Sequence, residues 1–179
     1  MKNNNKKEII KLASRFGVEI SDIRIELSSE EFYKQKTKQL EYPIKGASIG
    51  IVILSNGNIV LTKRNGPHSG WALPGGRIEL LEDFESGFVR EVKEETSLDV
   101  GVVGIYSIEN KTFIAPEGEK LSIWLVTFIA HANNDAQPKQ TAEAVLEGLK
   151  ISSFNQNDLP SEMVVTDKLK ILQYFKSGN

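Results

Sequence analysis

Glu91, Glu94 and Glu95 stand at positions i, i+3 and i+4, a spacing that turns three carboxylates to one face if the segment is helical. Like charges held that close repel, at about 0.2–0.5 kcal/mol per pair on an isolated helix. A hard divalent cation among the oxygens reverses that cost, and Mg²⁺ suits such ligands while bridging substrate phosphates. Glu82 lies just ahead of the segment, close enough to share a metal face, and Arg90 is placed to pair with a carboxylate and set its rotamer. Pro74, Gly75 and Gly76 precede the set, where glycine lets the backbone turn tightly or approach a ligand closely. Most Glu- and Lys-rich helical runs are only solvated faces, and residues 91–95 taken alone read that way. The larger set argues otherwise. With each residue type at about 7% of positions, Gly76, Glu82, Arg90, Glu91, Glu94 and Glu95 fall in register by chance on the order of once in 10⁷ windows.

These side chains need a helix to carry them. Phe84, Phe88, Val89 and Val92 mark the apolar side of a helix over residues 83–96, and the acidic side lies opposite. Around it the sequence predicts strands at 47–54 and 58–63, joined by the hairpin signal Ser55-Asn56-Gly57, then a Gly- and Pro-rich loop at 65–76. Further strands are expected at 100–109, 121–131 and 147–154, with a polar, flexible segment at 133–141 and a final helix at 166–176. Before residue 43 the pattern gives a helix at 8–16 stopped by Gly17, a loosely alternating run at 18–27, and a helix from Ser28 or Ser29 to about Gln39. Residues 1–42 read as an N-terminal appendage, a dimerisation arm or a lid, and residues 43–179 as the main domain. The elements lack the regular alternation of a doubly wound parallel sheet, so the expected class is α+β, a mixed sandwich.

Composition bounds the partners. The chain has 179 residues, 40% of them hydrophobic, enough for one core. A formal charge of -2 and a pI near 5.8 provide no broad basic surface for a nucleic-acid backbone. Without cysteine there is no disulfide, thiolate zinc site or thiol nucleophile. The polar, basic first residues are neither a signal peptide nor a membrane span, so the expectation is a cytoplasmic protein with no membrane partner. His68 and His131 lack metal-ligand spacing and take no role.

The stretch from Gly76 to Leu98 resembles the Nudix box: Gly, five residues, Glu, seven residues, then Arg-Glu-aliphatic-any-Glu-Glu-any-Gly-aliphatic. Gly76, Glu82, Arg90, Glu91, Val92, Glu94, Glu95 and Leu98 match, and Ser97 stands where the family has Gly. A left-handed Ser97 costs about 1 kcal/mol, and a slightly altered turn is the expectation there. The segments WALPGG at 71–76 and FNQNDLP at 154–160 are similar to the flanks of many Nudix domains, so the likeness covers residues 45–176. Leu80-Leu81 replaces a common Pro-Gly, and Ser153 a common aromatic.

The resemblance implies a Nudix-type α/β/α sandwich and a hydrolase of nucleoside diphosphate derivatives. In that reading Mg²⁺ or Mn²⁺ is held by Glu91, Glu94 and Glu95 with Glu82 nearby, and Glu94, Glu91 and Arg90 serve catalysis. The base is Glu94 or Glu91, or a glutamate of a later loop, for which Glu143 and Glu147 are the candidates. Gly75, Gly76, Arg64 and Arg77 are expected to meet phosphate oxygens, although solvated arginines read equally well; Trp71 and Phe113 are candidates to stack on a base, with core or loop packing the stronger reading for each. A homodimer is a further expectation. The alternative is a catalytically silent module of the same fold that binds a nucleotide, which would be expected to have lost Glu91, Glu94 or Glu95. An isoprenyl diphosphate isomerase is disfavoured by the absence of cysteine.

Overall fold

The computed structural model describes residues 2–41, 45–65 and 69–178; His68 and the boundary expected at 42/43 lie outside them. Along the chain run α1 (Lys2–Phe16), β1 (Ile20–Glu26), α2 (Ser29–Glu41), β2 (Gly46–Ile53), β3 (Ile59–Arg64), β4 (Gly70–Ala72) and β5 (Gly75–Ile78). There follow α3 (Phe84–Thr96), β6 (Val100–Ile114), β7 (Lys120–Ala132), α4 (Ala142–Leu146), β8 (Lys150–Phe154) and α5 (Val165–Lys176). The strands make one mixed sheet ordered β1-β6-β7-β2-β3-β4, with β5 added to β2 and β8 to β3. β1 runs parallel to β6, and β2 parallel to β7.

The sheet is covered on both faces, which is why β2 is almost wholly apolar, Ser48 excepted. Its Val52 joins a core built by Ile9 and Leu12 of α1 with Phe84, Phe88 and Val92 of α3. Ile51 and Ile53 face the other way, onto Ile171 and Tyr174 of α5. The result is the α+β sandwich of helices on either side of a mixed sheet.

The expected hairpin forms where the Asn-Gly signal lies: Gly57 has φ +81, and Val52 and Ile53 pair with Val60 and Ile59. Several bounds differ from expectation. The loop at 65–76 holds two short strands, whose Gly and Pro content hides them from pattern reading. β6 continues past Glu109 to Ile114 because β1 and β7 both pair with it over that extension. The strand expected from 147 begins at Lys150, since Thr141 caps the short helix α4 through Ala144 N–H. Nor does the polar segment before α4 hang free: Lys139 N–H bonds the Thr96 carbonyl at 2.9 Å, and the Thr141 hydroxyl bonds that of Glu94.

The first forty residues are woven into this body. Besides Ile9 and Leu12, Phe32 of α2 is fully buried, and β1 is a sheet strand. Glu8 of α1 accepts the Phe84 N–H at 2.8 Å and pairs with Lys45, whose ammonium also bonds the Glu82 carbonyl at 2.8 Å. α1 therefore holds the start of α3. Among the described residues no helix is long and apolar enough to cross a membrane.

Candidate active site

The start and end of α3 fix where its carboxylates point. Asp83 caps the helix by accepting Ser86 N–H at 2.8 Å, and Phe84, Phe88 and Val92, four residues apart, are pulled into the core. This leaves Glu91, Glu94 and Glu95 along the edge facing β5 and α4. The helix ends at Ser97 with φ 63 and ψ 7, its N–H on the Lys93 carbonyl. The turn is thus the ordinary left-handed one, not the altered turn expected for serine; the hydrogen-bonded cap and burial of Leu98 outweigh the Cβ penalty.

β5 brings the glycines against this face. Gly75 has φ +129, and a Cβ there would strike the Ser48 carbonyl. A Cβ on Gly76 would strike the Glu91 carboxylate. Only the missing side chain lets that carboxylate lie against the strand.

Two arginines organise the four box glutamates. Arg90 donates to both oxygens of Glu82 at 2.8 and 3.0 Å, to Glu94 at 2.6 Å and to Glu91 at 3.1 Å. Its fifth contact is the Arg77 carbonyl at 3.2 Å, which ties α3 to β5. The hydrogen bonds from Arg90 hold Glu82 below the usual carboxylate range against the opposing effect of burial. Burial pushes Glu91 up, with Glu94 and Glu147 adding to the rise and Arg90 opposing it.

Glu95 is the most enclosed of the set, at 4% exposure. It accepts Gly75 N–H at 2.9 Å and Arg64 Nη2 at 3.1 Å, and Arg64 also donates to the Gly75 carbonyl. Burial pushes its carboxyl up to about 7 despite these partners, with the neighbouring Glu91 adding to the rise.

A cavity of about 380 Å³ opens over this arrangement, lined by Arg64, Gly76, Arg77, Glu91, Glu95 and Glu147, with Asn65 and Leu149 at its margin. Glu147 caps α4 and reaches the cavity; Glu143 lies on the exposed side of α4 and is not among its walls. Trp71 is elsewhere, edge-on to Phe154 at 4.8 Å and packed on the α5-side core, so core packing accounts for it. Phe113 also stands outside this cavity, in a second one described below. His131 is exposed on β7, paired with Gly101 and Ile53. Asn65, Leu149 and the Thr141 anchor were missed by sequence reading: no local pattern marks a residue whose role is set by a strand pairing or by a bond to a distant carbonyl.

The donor set suits a hard cation in type and in charge. Glu91 and Glu95 present oxygen only, in surroundings that resist their ionisation, and a divalent ion relieves such crowding. Among the described residues no three acidic groups meet as a finished ligand set. Arg90 spans Glu82, Glu91 and Glu94 instead. Arg64 Nε is a buried donor without a protein partner, which suits an anionic oxygen beside the carboxylates.

Comparison with known proteins agrees with this geometry. An ADP-ribose pyrophosphatase of Methanocaldococcus jannaschii is 38% identical over 78 residues, 41% of this chain and 44% of that protein. A MutT-like protein of Streptomyces ambofaciens is 31% identical over 87 residues, 47% of this chain and 56% of the other. The chain thus spans about half the length of the curated relatives it matches. In fold it is similar to a MutT protein from Methanosarcina mazei, with TM-score 0.56, 17% identity and coverage of 78% of this chain and 98% of that one. A MutT Nudix hydrolase from Burkholderia pseudomallei gives 0.55, 23%, 72% and 96% respectively. The family model described as the NUDIX domain matches residues 44–175, and with the box glutamates gathered between β5 and α3, this chain belongs to the Nudix family.

Proposed function

We propose that the protein is a metal-dependent pyrophosphatase that cleaves the diphosphate linkage of a nucleoside diphosphate derivative. The observation that carries this reading is that one cavity joins the carboxylates Glu91, Glu95 and Glu147 to the guanidinium groups of Arg64 and Arg77. A diphosphate needs both: cations on its outer oxygens, and carboxylates that hold a metal and take a proton from water. Mg²⁺ or Mn²⁺, held by Glu91 and Glu95 with Glu94 and Glu82 nearby, supplies charge neutralisation at phosphorus when bound.

The chain's own groups do the rest. Arg64 and Arg77 orient the diphosphate, and Arg64 Nε donates to a phosphate oxygen. Arg90 fixes the rotamers of Glu82, Glu91 and Glu94, so the carboxylates are set before substrate arrives. Glu147, at the end of α4 and lining the same cavity as Glu91 and Glu95, serves as the base that receives the proton of the attacking water; Glu94 and Glu91 are the box alternatives. The ADP-ribose pyrophosphatase among the similar proteins supports a nucleotide-sugar type of substrate.

The test is phosphate release, after phosphatase coupling, from ADP-ribose, nucleotide sugars, dinucleoside polyphosphates, coenzyme A and nucleoside triphosphates with Mg²⁺ or Mn²⁺. Metal-dependent turnover of one class is expected, with a loss of about a hundred-fold or more in Glu94→Gln and in Glu91→Gln. Tight binding of a compound without turnover under any of these conditions would overturn the hydrolase in favour of a nucleotide-binding module.

A further inference from the structure

We infer that a crevice under α2 receives the nucleobase of the substrate, and that α2, outside the stretch matched by the family model, sets base preference. This rests on the reading of the chain as a hydrolase of nucleoside diphosphate derivatives. The crevice, of about 190 Å³, has Ala47 of β2, Phe113 of β6 and Leu121 and Ile123 of β7 as its walls. Gln35 and Lys38 of α2 form part of its rim, and Arg77 of β5 closes the side toward the box glutamates.

Arg77 lines both cavities, which makes them two compartments of one site. Its carbonyl is held by Arg90, while the residue itself is exposed. Exposed and shared by both cavities, it is placed to sit on a diphosphate whose two ends lie in the two compartments. The crevice alone is smaller than the roughly 300–1,000 Å³ of a small-molecule site, so it takes one moiety and not a whole nucleotide sugar.

Its chemistry selects the moiety. Among the described residues no carboxylate lines it, and sugar hydroxyls are commonly held by carboxylates. A phenyl ring with aliphatic neighbours offers a stacking platform, and a side-chain amide at the rim matches the donor and acceptor edge of a base. α2 can close on such a ring because it is lightly held. Among the described residues Phe32 is its one buried side chain, and exposed contacts from Ser29 to Glu117 at 2.8 Å and Lys36 to Glu119 at 2.6 Å help tie it to the β6–β7 turn. Elements held by few buried contacts open locally at low cost.

Hydrogen exchange of the full chain with AMP, GMP, CMP, UMP and ribose 5-phosphate tests this. At least one nucleoside monophosphate is expected to slow exchange across residues 29–41, and ribose 5-phosphate is not. Gln35→Ala and Lys38→Ala, at exposed helix positions, are expected to weaken that nucleotide and raise KM about ten-fold with kcat unchanged, as is Phe113→Leu. Protection by none of the four nucleotides, or variants with unchanged affinity and KM, would overturn the inference. Metal-dependent turnover without α2 protection sinks the base subsite and leaves the hydrolase standing; protection without turnover on the substrate panel does the reverse.

Discussion

The four box glutamates differ in surroundings more than their spacing suggests. Glu95 is nearly enclosed, shared between Arg64 and the Gly75 N–H, while Glu94 is a third exposed and pairs with Arg90. Their register was legible from sequence because helical geometry alone brings i, i+3 and i+4 together. That Arg90 reaches three of them at once was not, since Glu82 stands outside the helix and meets Arg90 only after the turn at Glu79. The two later glutamates were equal on sequence, and the cavity wall separates them. Glu147→Gln is expected to lower kcat about a hundred-fold or more, and Glu143→Gln to leave it unchanged, in steady-state assays on the substrate found. Equal kcat in the two variants would remove Glu147 from the chemistry.

Among the elements, α3 followed its signals most closely: its bounds and its apolar stripe fall where the pattern puts them. Its one exception is Ser97, left-handed where glycine would be at ease. Ser97→Gly is therefore expected to stabilise the fold by about 0.5–1 kcal/mol, relief of the Cβ clash being partly offset by the extra freedom of glycine in the unfolded chain. In thermal unfolding this is a rise of about 1–4 °C for a chain of this size, with turnover unchanged; a fall would show that the serine side chain contributes more than its backbone costs. β4, β5 and α4 were not legible. They are short, and each exists through a partner remote in sequence: β5 on β2, β4 on β3, and α4 tied through Thr141 to the end of α3.

At the scale of the whole molecule, the N-terminal forty residues matter to the site despite carrying none of its box. Ile9 is fully buried against the α3 side of the sheet, and Glu8 of the same turn accepts the first amide of α3. Ile9→Ala is expected to cost about 2–5 kcal/mol, read as a lower urea midpoint of one cooperative transition. A separate early transition, with the later one unmoved, would show that this segment folds on its own. The sequence by itself determined the box helix, the identity and register of its carboxylates and the first hairpin, because these depend on contacts within a few residues, and the irregular order of helices and strands pointed to the mixed sandwich. Tertiary structure alone decided that α1 steadies the start of α3, that Glu147 and not Glu143 faces the carboxylates, that Trp71 belongs to the core, and that Arg77 stands between two cavities. Each of those depends on which elements remote in sequence come together, and side-chain period carries no information about the partner an element will choose.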